Sequence, residues 1–172
     1  MLGANGSETE RQEKSPKILS KSIDLNPSQV LVISVMSSSG SAFEGRHLVH
    51  VIERAGFQYG EMGIFHLYDG IVGDTNLICS AANALNPGTF DLDQLSEFST
   101  IGVSFFLALP TSINNLQAFE KMLNAAQQIR RDLDGELKDD QRNVLTSQTI
   151  EHYRQRIRDF ELDQLKVAGG RG

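Results

Sequence analysis

Cysteine occurs once in this chain and proline four times. The single Cys79, set in the apolar run Leu77-Ile78-Cys79, excludes an intramolecular disulfide and reads as a buried reduced thiol rather than a nucleophile. No apolar run approaches the ~20 residues of a membrane-spanning helix, and no signal-peptide pattern opens the chain. Positive charge is also in deficit. Sixteen lysines and arginines face 22 acids, for a net charge of −6 and a pI near 5.2. That balance argues against a general nucleic-acid or anionic-membrane surface. The glycines form no G-x-G-x-x-G, and Gly60-Glu61-Met62-Gly63 lacks the lysine of a P-loop. Aromatic-basic interleaving, internal repeats and low-complexity segments are missing too. A soluble cytosolic domain is the expectation.

What is present suits one domain with a real core: 172 residues, 40% of them hydrophobic. Residues 1–28 are polar and aperiodic, the pattern of a flexible arm or linker remnant, and 163–172 read as a loose tail. The fold is expected over 29–162. Val30 to Met36 is two-sidedly apolar and β-branched, a central strand. Ser41 and Glu44 form a capping-box pattern ahead of the helical stripe Leu48, Val49, Ile52 and Ala55. A second strand is expected at about Met62 to Leu67, a glycine-rich turn at 68–76, and a third strand from Asn76 to about Ala84. One helical turn using Leu92 and Leu95 precedes the strand Val103 to Pro110. Ser112 is positioned to cap a long helix with Leu116, Phe119, Leu123, Ala126, Ile129 and Leu133 on its buried face. Glu136 to Lys138 reads as an edge strand. Thr146 opens a last helix carrying Ile150, Tyr153, Ile157 and Phe160. Adjacent strands without intervening helices pair best antiparallel, and three helices cover one face. The fold class expected is α+β, a two-layer sandwich with an antiparallel sheet of about six strands and an open apolar cleft on the other face.

Candidates for catalysis are thin. His47 and His50 stand three apart on the first helix without an evident third ligand, so a solvated helix face is expected there. His66 and His152 show no recognisable serine, cysteine or carboxylate partner. Asp139 and Asp140 suit a turn better than an acid/base pair. No enzymatic activity and no cofactor are expected.

The strand Val103 to Pro110 is the more informative feature. Its odd positions, Val103, Phe105, Leu107 and Leu109, are all bulky, whereas Ser104, Phe106 and Ala108 run small-large-small. On a strand these sets point to opposite faces. The same alternation sends Leu31, Ile33 and Val35 to the core, and Val30, Val32, Ser34 and Met36 to the open face. Met62, Ile64 and His66 are assigned to that face, as are Ala82 and Ala84. The result is a shallow groove of apolar side chains over an alanine-serine floor, the relief of an adaptable peptide-binding surface. The competing expectation is that a loop or the N-terminal arm covers this face as a second core.

Several stretches carry a family resemblance: Ala55-Gly56-Phe57 with Gly60-Glu61-Met62 and Ile64; Ala82-Asn83 with Asn86-Pro87-Gly88-Thr89-Phe90-Asp91; Phe98-Ser99-Thr100 with Gly102-Val103; and Leu137 with Asp139-Asp140-Gln141-Arg142. Over about Gln29 to Phe160 the chain resembles the C-terminal FtsZ-binding domains of ZipA, a bacterial cell-division protein. The resemblance implies an antiparallel sheet backed by three helices, whose open face receives the C-terminal tail of FtsZ. The family's cleft positions fall on Val30, Met62, Ile64, Ala82, Ala84, Ser104, Phe106 and Ala108, and a basic residue near the cleft falls on Arg142. Val32 joins them from the alternation. Ala84 stands where the family can carry a larger apolar side chain. Family members also carry an N-terminal membrane anchor and a long linker; the anchor is absent from this chain, so an excised domain is expected, soluble and acting at the inner membrane of the division site. The alternative function is a small-molecule-binding regulatory domain using the same groove, against which the lack of convergent polar groups counts.

Overall fold

The computed structural model describes residues 29–70 and 76–170. The proposed arm at 1–28, the middle of the turn at 68–76 and the last two residues lie outside them. The elements run β1 (Val30–Met36), β2 (Phe43–Glu44), α1 (Gly45–Arg54), β3 (Gln58–Tyr59), β4 (Phe65–Asp69), β5 (Asn76–Asn83), β6 (Ser99–Thr100), β7 (Gly102–Ala108), α2 (Asn115–Leu133), β8 (Glu136–Lys138) and α3 (Ser147–Gly170).

β1 and β7 pair antiparallel along their whole length, with Leu31 opposite Leu107, Ile33 opposite Phe105 and Val35 opposite Val103. All six of these side chains are fully buried. They form the floor of the core, and the buried stripes of all three helices close over it. β5 continues the sheet from β7, β4 and β3 follow on that side, and β8 flanks β1 on the other, giving the order β3-β4-β5-β7-β1-β8. Every adjacent pair is antiparallel. This is the expected α+β sandwich of a six-stranded sheet with three helices.

Local sequence chemistry sets the helix boundaries, though not always at the residues expected. α1 is capped by Glu44, whose carboxylate accepts from the N–H groups of His47 at 3.0 Å and Arg46 at 3.3 Å. Ser41 does not cap it. Phe43 and Glu44 are held extended by pairing with Thr100 and Ser99 in a second, two-stranded sheet, which delays the helix start. α2 is capped by Asn114, whose side chain accepts from the Gln117 N–H at 2.9 Å, and not by Ser112. The chain before it is still folded back, the Thr111 N–H donating to Asn115 Oδ1. α2 ends as expected on Asp134, in the left-handed conformation at φ 52°. Thr146 does cap α3, accepting from the Thr149 N–H at 3.2 Å. α3 then runs on to Gly170 instead of loosening at 163, with Leu162, Gln164, Leu165, Lys166 and Ala168 all favouring helix.

The second strand begins later than the expected Met62. Met62 is not on a strand. It sits at φ 67° in a short 3₁₀ turn (Glu61–Gly63) that closes the β3–β4 hairpin, and β4 begins only at Phe65. The Gly60 N–H donates to the Ile64 carbonyl at 3.0 Å, and the Gly63 N–H to the Gly60 carbonyl at 3.3 Å. Glycines on both sides of Met62 let the chain reverse there.

β8 pairs with only the second half of β1, which leaves the Val30 and Val32 carbonyls facing α3. The Tyr153 hydroxyl donates to the Val32 carbonyl at 2.8 Å and accepts from the Asp140 N–H at 3.0 Å, while Arg156 Nη2 donates to the Val30 carbonyl at 3.2 Å. Helix side chains thus complete the sheet edge. Tyr153 is 1% exposed, and burial pushes its phenol up to about 12. A phenol whose folded pKa is raised contributes stability that is fully present below the unfolded value of about 10 and is lost between pH 10 and 12. Tyr153→Phe is expected to cost about 1–2 kcal/mol at neutral pH by chemical denaturation. The gap between wild type and variant should shrink as pH rises from 10 to 12.

Candidate functional site

Whatever faces the helices from odd positions of β1 and β7, even positions face away, and the register aligns them in rows. Val32 lies opposite Phe106, Phe106 opposite Ser80, and Ser80 opposite His66. The next row is Lys138, Ser34, Ser104 and Ala82, each directly opposite its neighbour. Val30 pairs with Ala108 at one end, and Met36 with Gly102 at the other. Directly opposed residues share a face, so these side chains form one surface about 20 Å long from Val30 to Met36 at ~3.3 Å per residue. Val30, Val32, Met36, Ala82, Ser104, Phe106 and Ala108 are all half-buried there.

Of the expected site residues, Val30, Val32, Ala82, Ser104, Phe106 and Ala108 are therefore brought together by register alone. Ala84 lies just past the end of β5, half-buried, its N–H donating to the Gly102 carbonyl at 2.9 Å. Ile64 enters β4 with an extended backbone and is only 5% exposed, yet it stands outside the contiguous core. Its neighbour Phe65 points into the core, so alternation keeps Ile64 on the second face. Met62 sits on the hairpin turn, off the strands that form the rows. Arg142, in the loop after β8, places Nη1 3.5 Å from Met36 Sδ, which puts it at the Met36 end of the surface.

The polar groups on this face are arranged for structure. Ser34 is fully buried, and its hydroxyl meets that of Ser104 at 2.9 Å. His66 does have a serine partner, contrary to expectation: Nδ1 lies 2.8 Å from Ser80 Oγ, a neighbour across the strand pair and not along the chain. Nε2 lies 3.0 Å from the Glu61 carbonyl, an acceptor, so Nε2 carries a proton and donates it there. His66 and Ser80 are both buried, which suits a pair holding the hairpin turn against β5. Asp139 accepts from the N–H groups of Gln141 and Asn143, both at 2.9 Å, the turn role expected of it. His47 and His50 are exposed on α1. Among the described residues no three histidine, cysteine or acidic side chains gather as a metal site, and no helix is long and apolar enough to cross a membrane. Burial raises the Cys79 thiol far above its ordinary range, which leaves it unreactive.

A family described as the ZipA C-terminal FtsZ-binding domain matches residues 29–156. The chain belongs to that family. It is 53% identical over 137 residues to the cell division protein ZipA of Azotobacter vinelandii, covering 80% of this chain and 48% of that protein. It is 49% identical over 150 residues to ZipA of Pseudomonas syringae pv. syringae, covering 87% and 52%, and 50% identical over 139 residues to ZipA of Stutzerimonas stutzeri, covering 81% and 51%. The chain spans about half the length of these curated relatives.

Two further residues of this ZipA-family domain stand on the same face, Met36 and Lys138. Met36 lies against Gly102, whose missing side chain makes room for it. A Cβ on Gly102 would lie 2.7 Å from the Val35 carbonyl oxygen and against the Met36 side chain. Lys138 is placed on the face by its pairing with Ser34, which the edge-strand pattern of 136–138 does not specify. Gly102→Ala is expected to destabilise the domain by about 1–3 kcal/mol in a denaturant titration and to shift the Met36 methyl resonance.

Proposed function

We propose that this domain is a non-enzymatic cell-division adaptor that binds the C-terminal tail of FtsZ in a shallow apolar cleft on the second face of its sheet. The observation that supports this best is the set of half-buried apolar side chains aligned there by register, with Phe106 between Val32 and Ser80 in the middle row. A face of mixed small and large apolar side chains, with few polar groups free to orient a small ligand, suits a peptide that buries hydrophobic anchors. About 20 Å of strand length accommodates an extended segment of about six residues. The binding unit is 29–162. The tail's anchors bury against Phe106, Val30, Val32, Met62 and Ile64. Ala82, Ala84, Ser104 and Ala108 leave the space above the floor, and Arg142 meets a carboxylate at the rim.

In the whole protein, this domain would serve to tether FtsZ filaments to the cytoplasmic side of the inner membrane through an N-terminal anchor, helping to stabilise the Z-ring. Shallow single sites of this kind bind moderately and gain strength from many tethered copies. Phe106→Ala should weaken binding of a synthetic FtsZ tail peptide by at least ~10-fold, about 1.4 kcal/mol, in a calorimetric titration. His47→Ala, on the exposed side of α1, should leave it unchanged. Equal, negligible effects of the two substitutions would sink the assignment.

A further inference from the structure

We propose that Lys138 is a specificity-determining residue of this site, receiving a carboxylate of the bound tail at the β8 edge of the face; this rests on the tail-binding reading above. β8 has three residues, and Leu137 pairs with Val35 on the core side. Glu136 and Lys138 therefore both stand on the second face, opposite Met36 and Ser34. Lys138 continues the row Ser34, Ser104 and Ala82, one row from Phe106. Its ammonium lies 3.5 Å from the Glu136 carboxylate, with the Lys138 side chain 20% exposed and that of Glu136 53%. The Lys138 side chain is largely covered, while that of its partner is mostly in water.

That asymmetry makes the pair exchangeable. An exposed carboxylate gains little from such a contact and is displaced at small cost. A carboxylate carried in by a peptide that excludes water from the face gains more, because the local dielectric falls. Ser34 and Ser104 already satisfy each other, so they do not compete for the incoming group. Arg142 supplies a second cation towards the same end, beside Met36. Arg156, at the Val30 end, is engaged by the Val30 carbonyl and lies 3.8 Å from Asp140. An acidic residue of the tail would thus be drawn to the Lys138 edge, and that contact fixes the register in which the apolar anchors descend on Phe106.

The test is a titration of the domain with an FtsZ tail peptide at low and high salt. Lys138→Met keeps the stem and removes the charge, and is expected to weaken binding about 3- to 10-fold at low salt and to flatten the salt dependence. Glu136→Gln frees the ammonium and is expected to strengthen binding about two-fold. Both effects should vanish with a peptide whose carboxylates are replaced by amides. Lys138→Met binding like wild type, or both substitutions weakening binding together as for a structural ion pair, would overturn the proposal while leaving tail binding in place. Absence of any peptide binding by the wild-type domain would overturn the functional reading and this inference with it.

Discussion

Seven residues of β1 pair in register with seven of β7, and each odd-numbered pair sends two bulky apolar side chains into one layer. Everything else in the domain is arranged around that pairing. A slip of β7 by one residue against β1 would send Ser104, Phe106 and Ala108 into the core and bring Val103, Phe105 and Leu107 out. The cost of exposing those three side chains, about 1.5–3 kcal/mol each, excludes the alternative. The register that builds the core therefore also dictates the composition of the opposite face. No separate device is needed to place Val30, Val32, Phe106 and Ala108 together.

The two margins of the sheet are finished differently. On the β1 side, α3 supplies Tyr153 and Arg156 to carbonyls that β8 is too short to reach. Phe119 of α2 packs edge-on against the Tyr153 ring, with centroids 5.9 Å apart, so closing the edge and closing the core are one event. On the other margin, the β3–β4 hairpin folds over His66 and is pinned by the Tyr59 hydroxyl donating to the Phe90 carbonyl at 2.9 Å. Both margins adjoin the second face. Residues that stabilise the fold, such as Ser34 and His66, consequently stand beside residues available to a partner.

The strands of the core and the buried stripes of all three helices were legible in the sequence because alternation and 3.6-residue periodicity record burial directly. Leu31, Phe105, Phe119 and Ile157 fall where those periods put them. Structure departs from local pattern where a distant segment overrides it. Ser41 and Glu44 form a good capping box, yet pairing with Ser99 and Thr100 keeps residues 43 and 44 extended. Met62 has the composition of a strand residue, but flanking glycines allow a turn that the hairpin requires. For the candidate site, the Phe106 surface followed from the pattern of one strand, whereas the places of Lys138 and of the His66–Ser80 pair depend on which strands are neighbours. Strand adjacency is not written in the periodicity of any one segment.

The central claim is that the second face of the sheet, and not the helical layer, receives the FtsZ tail. Amide chemical shifts of the labelled domain, followed as tail peptide is added, test it most directly. Perturbations concentrated in β1, β7 and the β5 end from Ser80 to Ala84, with the exposed side of α1 silent, are the expected result. Shifts centred on α1 or on the exposed side of α3, with Val32, Ser104 and Phe106 unmoved at saturation, would contradict it.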